Sequence, residues 1–193
     1  VKEREVIEIF ERCGALLKGH FKLSSGLHSA QYLQSALVLQ YPSYACLLGK
    51  EIAGRFADRK IEVVVAPALG GIIIAYETAR FLNARALFAE REETKMGLRR
   101  GFDIKEGERV LIVEDVITTG GSVKELVDLI EEKGGEVEGV GAIVDRSGGE
   151  AFKEKESIYF QALVCLKIDC FPPSSCPLCR KGIPLVKPGS RKE

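Results

Sequence analysis

A chain of 193 residues with 46% hydrophobic content has enough apolar material for one core and a small appendage. Its 28 basic residues balance its 28 acidic ones, so no global field draws it to nucleic acid or a membrane surface, and any anion site must be local. The opening Val1-Lys2-Glu3-Arg4-Glu5 is charged and no apolar run approaches bilayer length, so the expected location is cytoplasmic.

Val6, Ile9, Phe10, Cys13 and Leu16 or Leu17 recur at helical spacing, which predicts an amphipathic first helix weakened near its end by Gly14. His20 to Tyr32 reads, on local pattern alone, as a β-hairpin. Pro42 suits the first turn of a second helix carrying Tyr44, Leu48, Ile52 and Phe56. Apolar runs of strand length then cover Glu62 to Ala66, Ala84 to Ala89, Arg109 to Val113 and Val137 to Val144. Helices are predicted between them, over Gly71 to Leu82 and over Ser122 to Lys133, the second ended by Gly134-Gly135. This alternation predicts an α/β fold with a central, mostly parallel sheet and right-handed crossovers. Glu90 to Phe102 reads as a long polar loop, basic in its second half.

In such a sheet ligands gather beyond the carboxyl ends of the strands. The run Val110-Leu111-Ile112-Val113 leads into Glu114-Asp115, two further residues, and then Thr118-Thr119-Gly120-Gly121-Ser122 at the start of a predicted helix. Glycines let several backbone N–H groups converge on one anion, hydroxyls add donors, and the helix dipole favours negative charge. The two acids stand within reach of the ribose hydroxyls of a ligand whose 5′-phosphate fills the turn. Neither a lysine-bearing P-loop nor a G-x-G-x-x-G turn occurs. After the first strand, Ala66-Pro67-Ala68-Leu69-Gly70-Gly71 is a second small-residue loop at a helix entry.

The acid pair and the T-T-G-G-S loop resemble the phosphoribosyl-diphosphate (PRPP) signature of type I phosphoribosyltransferases. That resemblance implies their fold, a mostly parallel sheet flanked by helices with a small N-terminal hood. It implies PRPP binding by Ala68, Leu69, Gly70, Gly71, Glu114, Asp115, Thr118, Thr119, Gly120, Gly121 and Ser122, with a cis peptide near Ala68-Leu69. Phe21-Lys22-Leu23-Ser24-Ser25-Gly26-Leu27-His28-Ser29-Ala30-Gln31-Tyr32 is similar, without a gap, to the hood segment of orotate phosphoribosyltransferases. Orotate carries a carboxylate, and Arg146, at the end of the Val137 to Val144 strand, matches the position where those enzymes place an arginine on the base. Its fork can hold a carboxylate bidentately. An Asp145-Arg146 pair that only caps the strand is the alternative. Ser25 and Gly26 are the other expected orotate contacts.

The same resemblance casts Glu90 to Phe102 as a catalytic loop reaching the neighbouring subunit of a homodimer, with Arg91, Lys95 and Asp115 as catalytic residues. Ser24, Gly70 and Glu92 stand where many orotate enzymes have lysine, and Lys22, Arg99 and Arg100 are the available replacements. The implied reaction joins orotate and PRPP into orotidine 5′-monophosphate and pyrophosphate, in pyrimidine biosynthesis, with Mg2+ held mainly through PRPP and water and no dedicated protein ligand set. A purine-salvage phosphoribosyltransferase and a non-catalytic PRPP-sensing regulator of nucleic acid remain open beside it.

The expected division is a core over 1–160, with its hood at 18–40, and a cysteine-containing tail over 161–193, its last residues frayed. Cys165, Cys170, Cys176 and Cys179 are spaced C-x4-C-x5-C-x2-C, which leaves zinc, disulfides and reduced thiols open. Cys165 falls in a predicted strand, where a cysteine usually packs as a small hydrophobe.

Overall fold

The computed structural model describes residues 2–23, 25–93, 95–154 and 158–188; Ser24 and the closing Arg191-Lys192-Glu193 lie outside these. Helix α1 (Glu3–Arg12) buries Val6, Ile9 and Phe10. It stops before Gly14, whose φ of +62° no helix accommodates. Leu16 and Leu17 therefore belong not to the helix, as their spacing suggested, but to strand β1 (Leu16–Lys22). That strand pairs antiparallel with β2 (His28–Leu33). A short α2 (Ala36–Leu39) precedes α3 (Pro42–Gly54), with its proline in the first turn, where a missing N–H costs nothing.

The sheet then begins with β3 (Val63–Pro67), α4 (Ile72–Leu82) and β4 (Arg85–Glu92). Next come β5 (Lys95–Leu98), β6 (Arg109–Ile117), α5 (Gly121–Glu132), β7 (Glu136–Asp145) and β8 (Phe160–Cys165). Their order is β5-β4-β3-β6-β7-β8, with β5 antiparallel and every other neighbouring pair parallel. Val63, Val65, Val110 and Ile112 face one core with α5, while Val64, Ala66, Leu111 and Val113 face another with α1, α3 and α4. Burial on both faces is why these runs read as continuously apolar. Each fully buried Leu, Ile or Phe contributes about 1.5–3 kcal/mol to that packing.

Residues 90–102 do not form a long loop. Glu90, Arg91 and Glu92 extend β4 and pair with β5, Glu92 opposite Lys95, while Met96, Leu98 and Phe102 pack on the α5-side core. The alternation that marks a strand is concealed here because one face is polar and at the sheet's edge. Residues from 161 on supply β8 to the main sheet and β9 (Cys170–Phe171), which pairs with β2 to complete a three-stranded hood sheet. A 3-10 turn (Pro173–Ser175) and α6 (Pro177–Arg180) follow. Among the described residues no helix is long and apolar enough to cross a membrane.

Candidate active site

The chain turns from β3 outward to β4, then returns to place β6, β7 and β8 on the other side of β3. The strand order thus reverses between β3 and β6, and the crevice beyond their carboxyl ends is where open α/β sheets bind ligands. The loop after β3 and the turn after β6 meet there. A methyl group built on Gly70 would stand 2.8 Å from both carboxylate oxygens of Asp115, and one on Gly71 2.9 Å from Glu114 Oε1. Only glycine lets the two loops approach so closely. The Ala68-Leu69 peptide is cis.

The turn after β6 forms a cavity of about 240 Å3, lined by Glu114 and by Thr118, Thr119, Gly120, Gly121 and Ser122 at the start of α5. Gly120 precedes that helix with a φ of +74°, so the chain can fold its amides toward one point. Removal from water, then the neighbouring Asp115 charge, pushes the Glu114 carboxyl well above its ordinary 4.5. Ser35, just before α2, donates its hydroxyl to Asp115 Oδ2. No sequence signal singled out Ser35, since 80 residues separate the partners.

Arg146 and Asp145 part company. Buried Asp145 accepts hydrogen bonds from Ser147 N, Ser147 Oγ and Gly149 N, holding the loop after β7. Arg146 turns the other way, where its Nη2 lies 3.6 Å from Cys170 Sγ and its buried Nε has no hydrogen-bond partner among the described residues. Desolvation lowers the Arg146 guanidinium's pKa below its ordinary value. A buried guanidinium N–H without an acceptor marks a place for an anionic or carbonyl ligand. Burial, then the Asp115 charge, raises the Tyr32 hydroxyl's pKa, while Arg146 opposes this, so Tyr32 of β2 lies within electrostatic reach of both groups.

The other expected residues are less concentrated. Arg91 pairs with Glu125 at 2.7 Å, and Glu125 lines the cavity, so Arg91 stands at its own chain's turn after β6. Lys95 is in the hairpin opposite Glu92. Arg99 pairs with Glu92 at 3.5 Å and Arg100 forks onto Glu90, so both are engaged within the hairpin. Ser25 and Gly26 occupy the turn at the opposite end of β2 from Tyr32. Among the described residues no hydrogen bond or ion pair joins them to Asp115 or Arg146. Exposed Cys165 approaches Asp145, 3.8 Å away, and does not pack as a buried hydrophobe.

Residues 45–169 match the phosphoribosyl transferase domain. The whole chain is 55% identical, over 192 residues and all of both chains, to the orotate phosphoribosyltransferase of Caldanaerobacter subterraneus subsp. tengcongensis. The chain belongs to the orotate phosphoribosyltransferase family. Among solved structures, that of the Aeropyrum pernix orotate phosphoribosyltransferase superposes with a TM-score of 0.71 at 27% identity, covering 84% of this chain and 94% of that one. The Mycobacterium tuberculosis orotate phosphoribosyltransferase in complex with PRPP superposes with a TM-score of 0.65 at 25% identity, covering 85% of this chain and 96% of that one. The family accounts for the sheet reversal, the acid pair and the glycine-rich turns together.

Proposed function

We infer that this chain, as a member of that family, transfers the phosphoribosyl group of PRPP to orotate, and that the residues at the β3–β6 crevice divide the work. The observation that carries the division is the orphaned Nε of Arg146, a residue whose backbone N donates to Ile117 O of the strand bearing Glu114 and Asp115 and which shares Tyr32 with Asp115 as an electrostatic neighbour. Thr118 to Ser122 take the 5′-phosphate through backbone N–H groups and hydroxyls at the α5 N-terminus. Ala68 to Gly71 take the pyrophosphate. Glu114 and Asp115 hold the ribose hydroxyls, with Ser35 fixing the Asp115 carboxylate. Arg146 binds the orotate carboxylate.

The C1–pyrophosphate bond loosens toward an oxocarbenium-like state, so position and charge govern the rate and no protein nucleophile is needed. Asp115 opposes the positive charge that develops on the ribose. Arg91 and Lys95 meet the negative charge growing on the pyrophosphate. Asp115 beside the turn is a hard oxygen donor that fits Mg2+, which would be held mainly through PRPP and water and would supply charge neutralisation to the pyrophosphate. The chain is assigned to a homodimer in which Lys95, at the β4–β5 turn, serves the neighbour's site while Arg91 stays at its own chain's turn after β6. Mixing inactive Lys95→Ala and Asp115→Asn chains then restores activity, because hybrid dimers carry one intact site; inactivity of the mixture confines each site to one chain.

Orotate consumption followed by absorbance, with PRPP and Mg2+ and beside uracil, adenine, hypoxanthine and xanthine, tests the assignment. Turnover of orotate alone is expected. Turnover of a purine moves the chain to salvage, and tight PRPP binding without turnover makes it a sensor.

A further inference from the structure

The sequence offers four tail cysteines as one group, and the structure divides them. Cys165 sits at the end of β8 beside Asp145, and Cys170 in β9 beside Arg146. Cys176 and Cys179 instead meet His20 of β1 and His28 of β2. One ligand atom from each of these four residues lies within 4.8 Å of every other. Cys179 Sγ is 3.3 Å from His28 Nδ1 and 3.7 Å from His20 Nε2, Cys176 Sγ is 3.6 Å from His20 Nε2, and the two imidazole nitrogens are 2.9 Å apart. In a tetrahedral site with ordinary zinc–nitrogen and zinc–sulfur bonds, the N···S edges are about 3.5 Å and the N···N edge about 3.3 Å.

Three further features suit a metal. His20 Nδ1 lies 2.8 Å from the Ile183 carbonyl, an acceptor only, so that nitrogen carries the proton and Nε2 presents its lone pair to the cluster. Cys176-Pro177-Leu178-Cys179 has the two-residue spacing of a zinc knuckle and bends through the first turn of α6. His20, His28 and Cys176 are buried, with Cys176 only 1% exposed, so three of the four ligand side chains are shielded from water and from competing ligands. Two thiolates and two imidazoles select a soft or borderline ion in tetrahedral geometry, and four protein ligands leave no open position for chemistry.

We propose that His20 Nε2, His28 Nδ1, Cys176 Sγ and Cys179 Sγ bind one structural zinc ion, which fastens the C-terminal segment to the hood. The ion is separate from the magnesium of the phosphoribosyl site and takes no part in group transfer. It closes a seam already begun by the backbone, where Lys22 N donates to Val186 O and Val186 N donates to His20 O, each at 2.8 Å. Binding requires loss of the two thiol protons, so zinc affinity falls as pH drops.

The test is metal analysis of the full chain purified under reducing conditions without chelator, followed by replacement with Co2+. One zinc per chain is expected, together with the ligand-field absorption of tetrahedral cobalt bound by sulfur and nitrogen. His28→Gln and Cys179→Ala each lower zinc affinity by about 100-fold or more, whereas Cys165→Ala retains the ion. Because Cys176 is buried and its replacement risks misfolding, the exposed Cys179 and the wild-type cobalt spectrum carry the decision. Less than a tenth of an equivalent of zinc, with none taken up from micromolar zinc salt, overturns the proposal. So does a Cys176–Cys179 disulfide in the freshly isolated chain, or zinc that remains fully bound in the Cys179→Ala/His28→Gln double variant.

Discussion

The turn after β6, to which phosphate binding is assigned, and the hood are built in opposite ways. The turn is one continuous stretch, Glu114 to Ser122, whose competence follows from local rules: a strand end, a left-handed glycine and a helix N-terminus. The hood is assembled from β1, β2 and β9, with Val186 joining its edge, so elements more than 130 residues apart must meet before it exists. A site made locally tolerates change elsewhere, whereas one made by tertiary assembly inherits the stability of every part. Phosphoribosyl binding and base binding should therefore fail separately.

The largest effects are expected at the turn. Asp115→Asn removes a ribose-side charge and should lower kcat/KM for PRPP by about 100- to 1000-fold while the melting temperature holds; steady-state kinetics and a thermal melt check both. Gly70→Ala should cost about 100-fold, since its methyl group displaces the Asp115 carboxylate. Where the main sheet meets the hood, Arg146→Ala, at the residue that follows β7 and faces Cys170 of β9, should raise KM for orotate by about 10- to 100-fold and leave KM for PRPP nearly unchanged. Equal damage to both constants would break the separation. Ser35→Ala, which removes one hydrogen bond to Asp115, should cost about 3- to 10-fold in kcat/KM for PRPP.

The smallest effect concerns pH. The Glu114 carboxyl titrates above its ordinary 4.5 in the folded chain, so the folded state keeps a proton that the unfolded state has already released. Stability from this group is complete below about 4.5 and declines as pH rises toward the shifted value. Melts of the ligand-free chain from acid to neutral pH should show Glu114→Gln gaining on the parent as pH rises. A constant difference between the two would remove Glu114 from that role.

The strand-to-helix turn after β6 was legible because its residues are adjacent and each has a local reason to be there. Helices α3, α4 and α5 and strands β3, β6 and β7 were legible for a similar reason, since two-sided burial leaves unbroken apolar runs and Pro42 and Gly134 mark helix ends. Strand β5 was not, because Lys95-Met96-Gly97-Leu98 lies at an edge where polar residues and a glycine dilute the alternation. Leu16 and Leu17 matched both a helix face and a strand, and only the backbone turn at Gly14 decided between them. Ser35 beside Asp115 and the two histidines beside Cys176 and Cys179 depend on contacts between distant segments, which spacing along one chain cannot encode. The cysteine pattern stayed open because spacing groups residues by nearness in sequence, whereas β8 and β9 carry Cys165 and Cys170 to other neighbours.

The interleaving of the hood has a consequence for how the molecule is made. The β1–β2 hairpin leaves the ribosome early, yet the strand that completes its sheet, Cys170–Phe171, and the bridge at Val186 arrive only after the central sheet has been translated. With synthesis proceeding from the N-terminus at about 5–20 residues per second, the half-built hood waits several seconds with an unpaired edge. Throughout that interval the nascent chain is open at β2 to pairing with a second copy, and the arrival of Cys170–Phe171 is what removes the risk.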